Sequence, residues 1–120
     1  MSKYVYIAGP YTKGDVVVNV RNAVQAAEWL VGIGYEPYVP HLTHFWHLIL
    51  PHKIEFWYVR DLEWLKKCDV IVRLPGESAG ADNEIMVAHG HGIPSVVLPE
   101  FNRLAMVEAM HYHEQLMGRP

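Results

Sequence analysis

The sequence predicts a single α/β domain built on a mainly parallel sheet. Three observations lead there. Four short runs rich in β-branched or aromatic residues alternate with segments of helical periodicity. The first and third runs each end in a loop of turn residues directly before a helical segment. The 120 residues suffice for one hydrophobic core and are too few for two.

Taken in order, Tyr4 to Ala8 reads as a buried strand that stops at Gly9-Pro10. From Asn19 to Val31 the apolar positions Val20, Ala23, Val24, Ala27, Leu30 and Val31 recur at helical spacing, and Gly32 and Gly34 close the helix. Tyr35 to Val39 is extended, and Pro37 within it implies an edge strand. Residues 41–54 are aromatic, histidine-rich and broken by Pro51, and propensity assigns them no element. A helix is expected over about 55–67, a strand over 70–74, a helix over 82–89, a strand over 95–98 and a last helix over about 103–117. The result is a flavodoxin/Rossmann-like, doubly wound, mainly parallel sheet of four to five strands.

The composition excludes several functions. A net charge of −3 without a basic block leaves no electrostatic footprint for polymeric nucleic acid, although backbone N–H groups can still hold a single nucleotide. No segment has the roughly 18 consecutive apolar residues of a membrane span. Cys68 is the only cysteine, which fits a reducing compartment, and no secretory leader is evident, so a cytoplasmic location is expected. Neither G-x-G-x-x-G nor G-x-x-x-x-G-K-[ST] occurs, which argues against a dinucleotide enzyme and a P-loop kinase. No cofactor is called for.

In open α/β sheets ligands bind beyond the carboxyl ends of the strands. Two loops qualify, Gly9-Pro10-Tyr11-Thr12-Lys13-Gly14 and Pro75-Gly76-Glu77-Ser78-Ala79-Gly80. Glu84 follows the second, one turn or less into the expected helix, where the helix terminus would keep a carboxylate anionic. On position alone, Asp82 and Glu84 are more readily read as ordinary first-turn acids. Asp61 lies eight residues before Asp69, or roughly 12 Å back along its helix at about 1.5 Å per residue, which lifts it toward the same edge. Asp69 falls at the far side, in a structural position. Two carboxylates in one cleft are the equipment of glycosyl transfer.

The segments YIAGPYT, DLEWLKKCD and SAGADNEIMVAHGHGIP, in that order along nearly the whole chain, resemble the nucleoside 2-deoxyribosyltransferase superfamily, which includes nucleoside 5′-monophosphate N-glycosidases. The resemblance implies that Glu84 attacks C1′ to form a covalent glycosyl-enzyme and that Asp61 contacts the base and assists its departure. It places Ser78, six residues before Glu84, at the 5′ end of the substrate, where transferases tend to carry an aspartate and monophosphate hydrolases a serine. A neutral hydroxyl does not repel a phosphate, so the serine tilts the reading toward a 5′-monophosphate. Gly9, Pro10, Tyr11, Lys13, Gly80 and Ala81 would line the ligand, with Lys13 as a point charge in a first loop that lacks the hydrolases' Ser and Arg. The resemblance also implies a homodimer or higher oligomer in which a neighbour's residue, matched here by Asn102, completes each site. The small-molecule partner would be a nucleoside or nucleotide. Exchange of bases between deoxynucleosides is the alternative activity, and a non-catalytic nucleotide sensor is the alternative of another class.

His41, His44 and His47 are spaced by three, with His52 close behind. A metal site is conceivable, but Phe45, Trp46 and Leu48 interleave them, so the segment is read as the wall of a base or sugar pocket, with His44 in it and no metal. Tyr11 is the pocket tyrosine. Tyr4 and Tyr6 are read as core or interface residues, Trp57, Trp64 and Leu65 as packing residues, and Cys68 as a small buried hydrophobe.

Overall fold

In a computed structural model that describes residues 3–118, the chain folds as a four-stranded, all-parallel sheet with helices on both faces. Strands β1 (Tyr4–Ala8), β2 (Glu36–Tyr38), β3 (Val70–Arg73) and β4 (Ser95–Val97) lie in the order β2-β1-β3-β4. Val5 is opposite both Pro37 and Val70, and Val72 is opposite Val96. Pro37 thus sits on an edge strand, where a missing N–H costs no ladder bond on the open side.

The helices are α1 (Val16–Gly32), α2 (Thr43–Ile49), α3 (Ile54–Leu65), α4 (Ala79–Gly90) and α5 (Arg103–Met117). Two begin earlier than hydrophobic periodicity suggests, and side-chain caps explain both. Asp15 accepts hydrogen bonds from the N–H groups of Val17 and Val18 at 2.9 and 3.2 Å, which starts α1 through a β-branched run that favours strand. The hydroxyl oxygen of Ser78 accepts from the N–H of Ala81 at 3.1 Å and starts α4 at Ala79. The stretch without an assigned element contains a 3-10 turn at Pro40–Leu42 and the short helix α2.

Alternation along the strands sorts the core. Val5, Ile7, Val70, Val72, Val96 and Leu98 pack against Ala23, Ala26 and Leu30 of α1 and Met106 and Met110 of α5. Tyr6, Ala8 and Ile71 face the other way, against Leu65 of α3 and Ala81 and Ala88 of α4. Asp69 accepts from the N–H groups of Lys3 and Tyr4 at 3.0 and 2.9 Å and ties the foot of β3 to β1, the structural position expected of it.

The chain leaves β1 toward β2 and leaves β3 toward β4, so the carboxyl ends of β1 and β3 form the switch point where connections diverge. Their loops pack closely. Gly76 has φ +113°, and a Cβ there would lie 2.8 Å from Cγ of Pro10. Gly9 is buried, and a Cβ on it would come within 3.1 Å of the Leu74 side chain, so its missing side chain serves loop packing.

Candidate active site

Glu84 is carried by α4 and Asp61 by α3, on the sheet face that carries Tyr6. Tyr6 is fully buried, and its hydroxyl donates to Oε2 of Glu84. Reading Tyr6 as a core residue is therefore only half right: its ring fills the core while its hydroxyl belongs to the site. Strand alternation placed the ring. That its tip meets Glu84 follows from the seating of α4 against β1, which no local pattern encodes.

Burial pushes the Glu84 carboxyl up to about 7, while the Tyr6 hydrogen bond and the charge of Arg73 pull it back. This corrects the expectation of a carboxylate kept anionic by a helix terminus. With α4 starting at Ala79, Glu84 is its sixth residue, beyond the first turn where the dipole acts. Asp61 is likewise pushed up to about 7, by burial first and then by repulsion from Glu84. Its Oδ1 is buried without a hydrogen-bond partner. The charge of Glu84 raises Asp61 further, so the two carboxyls titrate as a coupled pair.

Aromatic rings pack beside Tyr6 on this face. Tyr38 lies 5.7 Å from Tyr6 and stacks on Trp64 at 5.3 Å. Its hydroxyl is pushed up to about 12 by burial and then by the charge of Asp61, which lies near it. Nδ2 of Asn83 donates to the Tyr58 hydroxyl and links α4 to α3 one residue before Glu84. Sequence reasoning missed Tyr38 and Tyr58 as site neighbours, although the i, i+3 relation of Tyr58 to Asp61 was legible.

The loops hold the remaining candidates. The Tyr11 hydroxyl and Nδ1 of His44 are 2.5 Å apart, which joins the first loop to α2. Asn19 of α1 supports that loop by donating to the carbonyls of Tyr11 and Lys13 at 2.9 and 2.8 Å. Lys13 pairs with Glu77 at 3.6 Å across the two loops, both side chains exposed. Arg73 is committed inward, to the carbonyls of Leu74 and Gly76 and to Asp82 at 3.0 Å. Ser78 accepts at its oxygen as the α4 cap and keeps its own proton to donate, Gly80 is exposed, and Ala81 is buried in the core. Asn102 caps α5 by accepting from Ala105 at 2.8 Å. Within one chain it serves the opposite face of the sheet.

The histidines take separate partners. Nε2 of His41 meets the Pro10 carbonyl at 3.0 Å, His47 accepts from Trp57, and His52 stacks on Phe56 at 3.7 Å. Among the described residues no group of three or more His, Cys, Asp or Glu side chains is placed to hold a metal. No helix among them is long and apolar enough to cross a membrane. Cys68 is half-buried, and its thiol is pushed up to about 11 by burial and then by Asp69.

A family model described as a domain of unknown function, DUF7768, matches residues 3–98. The chain belongs to this family. No curated protein matches the sequence. Among solved structures, the fold is similar to that of a 2-deoxyribosyltransferase from the psychrotolerant bacterium Bacillus psychrosaccharolyticus, with a TM-score of 0.62 at 18% identity. The match covers 88% of this chain and 81% of that one. A likeness at this identity establishes that this DUF7768 member has the α/β architecture of that enzyme.

Proposed function

We propose that the protein cleaves the N-glycosidic bond of a nucleoside or nucleoside 5′-monophosphate through a covalent glycosyl-enzyme on Glu84. The observation that carries this reading is the half-buried pair of Glu84 and Asp61, with the Tyr6 hydroxyl on one oxygen of Glu84. The singly protonated pair has the two functions that the reaction needs. Ionised Glu84 attacks C1′ as the C1′–N bond breaks, and the bonding electrons leave with the base. Asp61 delivers its proton to that base. Water, losing its proton to Asp61, then attacks C1′ and releases the sugar and the free Glu84 carboxylate.

The fate of the glycosyl-enzyme separates hydrolysis from transfer. A second base in place of water gives base exchange, and the fold likeness to a 2-deoxyribosyltransferase supports keeping that reading beside hydrolysis. At the 5′ end, Ser78 with its free proton and the lysine of the Lys13–Glu77 pair would receive a phosphate, and exchange of the Glu77 contact for the phosphate would supply its positive partner. In this reading Tyr11 and His44 line the sugar or base, Gly9, Pro10 and Gly80 shape the loops around it, and Ala81 seats the helix start.

The test is chromatography of a panel of nucleosides and 5′-monophosphates, with and without an added free base, for the wild type and Glu84→Gln. Base release that vanishes in the variant supports the reading. Product formed only with an added base assigns transfer. No turnover of any member by the wild type overturns catalysis on these substrates and favours a nucleotide-binding role.

A further inference from the structure

Arg73 ends β3 at the carboxyl edge of the sheet. Strand alternation sends its side chain to the face of Tyr6 and Ala8 rather than to that of Val70 and Val72. There it pairs in register with Ala8, two residues beyond the Tyr6–Ile71 pair. The side chain is 11% exposed, so the guanidinium must find its partners within the protein. Nη1 donates to the Leu74 carbonyl and Nη2 to the Gly76 carbonyl at 2.8 Å, so the turn that leaves β3 wraps around the cation. Nε and Nη2 also donate to Oδ1 of Asp82 on α4, at 3.2 and 3.0 Å.

One side chain thus ties the turn to the helix that follows it. Between Gly76 and Asp82 lies Ser78, the cap of α4, and Glu84 follows Asp82 by two residues on the same helix. Stability alone does not account for an arginine here. Asp82 is 71% exposed, an ion pair with an exposed partner contributes little, and burying the guanidinium costs desolvation that an apolar residue would avoid. The groups acting on Glu84 are Tyr6 from β1, Asp61 from α3 and Arg73 from β3, with Tyr38 of β2 beyond Tyr6. Of these Arg73 alone is positive, and it opposes the burial that disfavours the Glu84 carboxylate.

We propose that Arg73 is a positioning residue for Glu84, fixing the turn into α4 through the Leu74 and Gly76 carbonyls and presenting a permanent positive charge to the carboxylate. Asp82 moderates that charge by sharing Nε and Nη2. Lysine would not serve, because one ammonium on a flexible stem cannot meet two carbonyls and a carboxylate as the planar fork does. The nucleophilic role of Glu84 rests on the glycosidic reading, whereas the charge acting on Glu84 does not depend on substrate.

The experiment is a carbon-detected NMR titration of the side-chain carboxyls in the substrate-free wild type, Arg73→Gln, Arg73→Lys and Asp82→Asn. The Glu84 resonance is assigned by its loss in Glu84→Gln. Arg73→Gln should raise the Glu84 midpoint by about 0.5–1 pH unit, short of the one to three units of a direct ion pair. Asp82→Asn keeps an oxygen for the guanidinium but removes the negative charge, so it should lower the midpoint. Loss of packing would move both variants the same way. A midpoint that fails to rise in Arg73→Gln, or fails to fall in Asp82→Asn, overturns the proposal. Asp82 is exposed, so its variant decides the charge effect even if Arg73→Gln fails to fold. In Arg73→Lys the midpoint should lie between those of the wild type and Arg73→Gln. Amide exchange at Ala81 and Asp82, which bond to Ser78, should speed several-fold in that variant, and base release should fall about 10- to 100-fold. Unchanged exchange in Arg73→Lys, or full base release by it, overturns the positional role. A wild type that releases no base counts against the glycosidic reading alone, since the titration and the exchange read Arg73 without substrate.

Discussion

Tyr6, at the centre of β1, donates its hydroxyl proton to Oε2 of Glu84 on α4, 78 residues later in the chain. The bond stabilises the charged form of a carboxyl that burial otherwise pushes up. Tyr6 itself is pushed far above its ordinary range, by burial first and then by the charges of Glu84 and Asp61, so it stays a donor at every relevant pH. It is a positioning residue for Glu84.

Tyr6→Phe should lower turnover about 10- to 100-fold, the effect of one hydrogen bond to a charged group. Because the lost bond favoured ionised Glu84, the acid limb of the pH–rate profile should move to higher pH. A profile that only drops in height, without moving, would leave Tyr6 a packing residue.

Activity should follow a bell centred near pH 7, because one carboxyl must be ionised and its partner protonated. Asp61→Asn removes the proton donor and should cost about 100- to 1,000-fold on substrates with poor leaving bases. It should also flatten the alkaline limb. An unchanged alkaline limb in this variant would remove Asp61 from proton delivery.

Stability should fall as pH rises from about 4 to about 7. Both carboxyls have folded pKa values raised to about 7, so over that window the folded state holds protons that the unfolded chain has released. Above pH 7 the cost of burying charge is fully expressed. Asp61→Asn should then be more stable than the wild type at pH 8 by about 1–3 kcal/mol, with little gain at pH 4. Urea midpoints at the two pH values check this, and an equal gain at both would point to packing.

Gly76→Ala should destabilise the protein by about 1–3 kcal/mol, since φ of +113° strains any Cβ and the added atom would meet Pro10 at 2.8 Å. Gly80→Ala, with open space around it, should be neutral or slightly stabilising. Thermal melts of the two variants test whether the loops after β1 and β3 are packed as a unit.

Local pattern was enough to place the four strands, the edge position of Pro37, and Asp61 and Glu84 on neighbouring helices. These follow from period-2 and period-3.6 hydrophobicity and from turn residues, which act over a few residues of chain. The starts of α1 and α4 escaped because Asp15 and Ser78 cap through single hydrogen bonds that hydrophobic period does not register. The protonation of the site was decided only by the tertiary structure. Glu84 looked like a carboxylate beside a helix terminus. Packing of α3 and α4 over Tyr6 partly withdrew it and Asp61 from water together, and with α4 starting at Ala79 the terminus lies too far back to offset that. The four histidines were clustered in sequence but were drawn to Pro10, Tyr11, Trp57 and Phe56, because side-chain partners are set by which segments meet in space.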